Sequence, residues 1–158
     1  MLAAQAVADQ TWKGPAMSAT GFSSFDTTVE KTNHILHEIE PAYGWPKDRR
    51  IQSYAALRTI LHALRDRLTV QVAAQLAAQL PLLVRGIYYE GWSPSAVPVK
   101  MDQEAFLGRI RQEFRYSIDG DIPQLVDTVL QALRKHVTQS EWDGMKSTLP
   151  KDMATALP

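Results

Sequence analysis

Two histidines and their neighbouring carboxylates are the densest chemical grouping in this 158-residue chain. His34 and His37 stand beside Glu30 and Glu38, and two histidines with a carboxylate make a donor set that holds a transition metal or relays a proton. On a helix that turns about 100° per residue, however, His34 falls about 180° from the stripe of Phe25, Val29 and Leu36. Glu30, His37 and Glu38 fall more than about 100° from it. All four are expected to face solvent. Metal sites of helical bundles project inward from facing helices through a Glu-x-x-His step, which this helix lacks. A solvated, partly salt-bridged face is the expectation, and a metal or ligand site, completed by a second chain across a symmetric contact, is the alternative.

His62 and Asp66 stand four residues apart and could pair as a base held by a carboxylate. No nucleophile motif accompanies them, so they are expected to form an ordinary pair on the polar side of a helix. His136 precedes a helix end, where the dipole favours a cation. Arg65 and Arg134 are candidate contacts with an anion or partner. The simpler reading of each is a cation near a helix C-terminus whose stem covers the edge of the core. Tyr88, Tyr89 and Trp92, close to Pro94 and Pro98, are candidates for a peptide-binding or dimerisation patch, or pack a connector onto the body. Arg49, Arg50, Arg58, Arg65, Arg67 and Arg85 give the first half local positive character. Asp48, Asp66 and Glu90 interrupt it, and a surface is expected there, with no groove. Asp119-Gly120-Asp121 is too short for a calcium loop and reads as a turn with a helix cap. Gly-x-Gly-x-x-Gly, Gly-x-x-x-x-Gly-Lys and Gly-x-Ser-x-Gly do not occur.

The remaining composition narrows the classes further. Seventeen Lys and Arg balance seventeen Asp and Glu, which removes the basic footprint of phosphate-backbone or anionic-membrane binding. The absence of cysteine excludes disulfides, thiolate catalysis and zinc–cysteine sites. The most apolar stretch, residues 70–84, is interrupted by Gln71, Gln75, Gln79 and Pro81, so no membrane span is expected, and a cytoplasmic location fits. Residues 1–21 do not read as a signal peptide. Met17-Ser18-Ala19-Thr20 resembles a second start, and a disordered tail or start-site extension is expected before a single domain over 22–158.

What positions the candidate residues is a series of helices. Phe25, Val29, Thr32, Leu36 and Ile39 mark the first, with Asp26 as its expected cap and Pro41 as its end. A turn follows over 42–49, then an amphipathic helix on Tyr54, Leu57, Leu61, Leu64 and Leu68. Thr69 caps the next, and Leu80-Pro81 opens a short one over 82–89. Residues 91–99 read as an extended connector. Asp102 caps a helix carrying Phe106, Ile110 and Phe114, and Asp121 with Pro123 starts another. Thr138 with Glu141 forms an expected capping box, and Leu149-Pro150 opens a last helix over 151–157. No strand pattern occurs.

Much of this is written twice. A shift of 69 positions lays Thr59 on Thr128, Leu61 on Leu130, Ala63 on Ala132, Leu64 on Leu133, Arg65 on Arg134, Thr69 on Thr138, Leu80 on Leu149 and Pro81 on Pro150. Ile60 meets Val129, Leu68 meets Val137 and Leu76 meets Met145, so apolar character persists where identity does not. The expected fold is all-α: a helical bundle of two tandem pseudo-equivalent repeats, at about 25–91 and 102–158.

Phe25-Asp26-Thr27-Thr28-Val29, Tyr54-Ala55-Ala56-Leu57-Arg58 with Leu61 to Leu68, and Gln79-Leu80-Pro81 running through Val84 to Trp92 carry a resemblance. On these strings the chain resembles the bacterial family called domain of unknown function 2267, over about residues 22–158. The resemblance implies a bacterial, soluble, helical protein and supplies no activity, cofactor or catalytic residue. The expected function is a non-enzymatic interaction or regulatory module, with no cofactor and a protein partner, itself or another. Its candidate contacts are Arg65, Arg134, Tyr88, Tyr89 and Trp92. The metal- or ligand-binding reading through His34, His37, Glu30 and Glu38 is the alternative, and weak nucleic-acid binding comes third.

Overall fold

Proline and short polar caps cut this chain into brief helices. The structure, a computed structural model, describes residues 19–45, 50–118 and 120–158. Among them are eight α-helices and no strand: α1 Ser23–Ile39, α2 Arg50–Arg67, α3 Val70–Gln79, α4 Leu82–Tyr89, α5 Gln103–Glu113, α6 Ile122–Arg134, α7 Gln139–Ser147 and α8 Lys151–Ala156. The expected all-α bundle is what is found. The expectations for residues 1–18 of the tail, for 46–49 of the first turn and for Asp119 lie outside the described residues.

Expected caps close four of the eight helices. Asp102 accepts from the Ala105 N–H at 2.8 Å and Asp121 from that of Gln124 at 2.9 Å. Thr69 and Thr138 each accept at 3.3 Å, from Val72 and Glu141. Two local expectations are corrected. The first helix begins at Ser23, with Phe22 as an N-cap residue lacking a side-chain bond, so Asp26 sits inside the first turn and accepts from the Thr20 hydroxyl at 2.7 Å. The capping box at Thr138 is half made, because its backbone N–H goes to Gln79 Oε1 at 3.3 Å. A residue of α3 thus takes the donor that Glu141 was expected to satisfy.

Packing crosses between the halves. α2 and α6 lie against each other, α1 packs on α6, α5 packs on α2, and α3 packs on α7. Ile35, Ile39, Leu57, Ile60, Leu61, Leu64, Phe106, Ile110, Leu125, Val129 and Leu130 fill the shared core. At the α3–α7 contact, Val72, Gln75 and Leu76 face Glu141, Gly144 and Met145 around a hollow of about 120 Å³. Each of these three pairs is separated by 69 positions, the shift that aligns the two halves of the sequence. The first residues of α3 and α7, and those of α4 and α8, are likewise 69 apart, Val70 with Gln139 and Leu82 with Lys151.

α2 departs from expectation. Its spacing predicts an amphipathic helix, but Ser53, Thr59, His62 and Arg65 are buried along with Ala56, Leu57, Ile60, Leu61 and Leu64. The cause is position: α1, α4, α5 and α6 surround it. A helix packed by four others buries part of its polar face, and the residues so buried need partners within the protein.

Candidate functional site

Burial of the polar face of α2 creates a charged cleft. It lies between α2, α5 and the turn after α4, has a volume of about 650 Å³, and is lined by Arg58, His62, Arg65, Glu90, Arg109 and Arg115 among others. A cleft therefore replaces the uninterrupted surface expected around Arg58 and Arg65. Arg109 and Arg115 come from the second half, which sequence proximity could not bring to α2.

Asp66 organises the floor. Its two carboxylate oxygens take Arg65 Nε at 2.8 Å and Arg109 Nη2 at 2.7 Å. Burial pushes the Asp66 carboxyl up, but the hydrogen bonds from Arg65 and Arg109 outweigh that and hold it below its ordinary value. Arg65, buried, also donates Nη1 to the carbonyls of Tyr88 and Glu90, each at 2.8 Å. These carbonyls belong to the end of α4, where helix geometry leaves acceptors unfilled and the dipole favours a cation. The helix end that Arg65 serves is thus that of α4, against the expectation that it was its own. At the mouth, Arg58 Nη2 meets Glu90 at 2.7 Å and Arg109 Nε meets Glu113 at 3.2 Å.

His62 is buried and does not form the surface pair with Asp66 expected from their spacing. Its Nε2 lies 2.7 Å from the Ile87 carbonyl, which only accepts, so Nε2 is the protonated nitrogen. Burial holds this imidazole below its ordinary pKa, with Arg65 and Arg58 reinforcing and the Ile87 bond opposing. Burial likewise holds His136 below its ordinary value, against the cation-favouring helix end expected there.

The other sequence candidates divide. Tyr88 is fully buried, its hydroxyl donating to the Ala73 carbonyl at 2.9 Å, and with Arg65 it belongs to the interior of the single chain instead of an open contact surface. Tyr89 and Trp92 are half-buried, their rings 5.2 Å apart. Arg134 is half-buried at the end of α6, donates to Gln139 at 2.9 Å and does not line the cleft. His34 and His37 face outward as expected, at 67% and 53% side-chain exposure. His34 pairs with Glu38 at 2.9 Å and His37 with Glu40 at 3.3 Å, while Glu30 is exposed. Among the described residues no group of three His, Cys, Asp or Glu is placed to hold a metal ion. Sequence reasoning missed Glu40, which is buried and accepts from Ser53 Oγ at 2.8 Å and Arg50 Nε at 3.1 Å. A carboxylate directly before Pro41 gave no periodic signal of burial.

A second concavity is apolar. Phe25 and Val29 of α1 and Leu82, Leu83, Gly86 and Ile87 of α4 line a groove of about 560 Å³. Thr28 holds its two walls together by accepting the Leu83 N–H at 2.7 Å. Phe22, Phe25, Leu82 and Leu83 stand 42–63% exposed around it. Among the described residues no helix is long and apolar enough to cross a membrane.

These features define an all-α bundle with cross-packed halves, a charged cleft and an apolar groove, both open to solvent. The sequence profile of the family described as "Uncharacterized conserved protein (DUF2267)" matches residues 32–156, and the chain belongs to that family. No curated protein matches it.

Proposed function

We propose that this chain is a non-enzymatic interaction module that docks a second copy of itself through the groove between α1 and α4, and that its two halves descend from one duplicated helical unit. The carrying observation is the clustering of four large apolar side chains, Phe22, Phe25, Leu82 and Leu83, exposed on one face. Patches of that kind on a folded surface mark contact sites. Projecting phenylalanines and leucines beside a hollow give one face both knob and hole, the self-complementarity an isologous contact requires. A net charge of zero sets no overall repulsion between copies, and the one charged residue lining the groove, Glu90, is neutralised by Arg58 at 2.7 Å.

Light scattering across a dilution series reads this directly. The expected result is a species of twice 17.7 kDa that dissociates on dilution, and a monomer for Leu83→Asp, an exposed position whose change leaves the core intact. A monomer at every concentration, or a dimer indifferent to Leu83→Asp, would overturn the reading.

A further inference from the structure

We propose that the cleft between α2, α5 and the turn after α4 is a binding site for a small molecule carrying a phosphate group. Four guanidinium groups line it, those of Arg58, Arg65, Arg109 and Arg115. Each offers five N–H donors in a fixed fork, and the protein uses only some of them. Arg65 spends Nε and Nη1 on Asp66, Tyr88 and Glu90, and Arg109 spends Nε and Nη2 on Glu113 and Asp66. Arg65 Nη2 and Arg109 Nη1 make no such bond among the described residues, and neither does Arg115 anywhere along its exposed side chain. Asp66 fixes two of the forks before any ligand arrives, which lowers the side-chain order still to be lost on binding.

The chemistry of the donors selects the ligand. A terminal phosphate presents three acceptor oxygens and up to two charges, enough for several guanidiniums at once, where a carboxylate presents two oxygens and one charge. The volume of about 650 Å³ falls in the range of small-molecule sites. Glu90 and Glu113 stand at the mouth, 58% and 45% exposed, and repel a long phosphate backbone while leaving room for a compact anion. The site is independent of self-association, since cleft and groove share only Glu90.

Calorimetric titration of the full chain at low salt with inorganic pyrophosphate, inorganic phosphate and citrate tests it. Saturable one-to-one binding of pyrophosphate is expected, reduced about tenfold in Arg115→Gln, the effect of removing one charged donor. Arg115 is exposed and unpaired among the described residues, so the variant keeps its fold, which an unchanged melting curve verifies. Arg111→Gln, the same charge change at an exposed position of α5 outside the cleft, should bind as the parent does. Binding of phosphate alone, lost in Arg115→Gln, supports the site with free phosphate as its ligand. Absence of heat with both phosphates, equal binding by Arg115→Gln, or citrate binding as tightly as pyrophosphate would overturn it.

Discussion

Asp66, in the last turn of α2, and Lys135, the residue that caps the end of α6, stand 69 positions apart, and each reaches across to the other half of the bundle. Asp66 meets Arg109 of α5 at 2.7 Å, and Lys135 meets Glu38 of α1 at 2.9 Å, the same crossing with its charges exchanged. The neighbours differ in depth. His62 and Arg65 are buried, while their counterparts are the exposed Gln131 and the half-buried Arg134. The cause lies in what covers each helix. α4 packs along α2, and the connector beyond it is tied down by the Val99 N–H to the Asp66 carbonyl at 2.7 Å and by Arg67 Nε to the Met101 carbonyl at 2.9 Å. In the second half α8 is only six residues long and packs on α5. Residues 69 positions apart thus lie in the interior or at the surface according to what covers them, and the charged cleft lies on the covered side.

The sharpest test of that difference compares two substitutions of one residue type. Arg65→Ala leaves the Asp66 carboxylate to Arg109 alone and strands two carbonyls at the end of α4, and is expected to cost about 3 kcal/mol. Arg134→Ala removes one bond to Gln139 in a half-exposed setting and is expected to cost about 0.5 kcal/mol. Urea unfolding of both variants measures the gap. Equal costs would mean that the cover over α2 does not decide the energetics.

His62 sharpens the comparison through pH. Because its folded pKa is depressed, its contribution to stability is complete above the ordinary histidine value of about 6.5 and is lost as pH falls below it, since the unfolded chain then binds a proton that the folded chain refuses. His136 acts in the same direction. His62→Gln, which installs the residue of the uncovered half, should cost about 1 kcal/mol at pH 7.5 for the lost Ile87 bond. It should also flatten the loss of stability between about pH 6.5 and 5, leaving the share of His136. An unchanged slope would place no titrating burden on the covered face.

Legibility in the sequence follows the same division. Proline breaks, the caps at Asp102, Asp121, Thr69 and Thr138, and the outward direction of His34 and His37 were readable because each depends on spacing within a turn or two of helix. The burial of α2 was not, since its polar residues interrupt the stripe and their partners lie on α4, α5 and the connector. The pairing of Asp66 with Arg109 spans 43 residues. Nothing local marks it, and the constant Arg65 hinted only that this place on the helix was used, without saying that the helix end it serves is that of α4. Glu40 was hidden for a related reason: its partners Arg50 and Ser53 lie beyond a turn, on the next helix.

The smallest effect concerns the two exchanged ion pairs themselves. Asp66 and Arg109 are 16% and 24% exposed, whereas Lys135 is 65% and Glu38 20% exposed, so water screens the second pair far more than the first. A double-mutant cycle with Asp66→Asn and Arg109→Gln is expected to give a coupling of about 1 kcal/mol, and one with Lys135→Gln and Glu38→Gln below about 0.5 kcal/mol. Raising the salt should erase the second coupling while leaving most of the first, because only the first pair is shielded from mobile ions. Couplings of equal size and equal salt dependence would show the two crossings to be energetically alike. Depth of cover would then account for the shape of the cleft and for none of its strength.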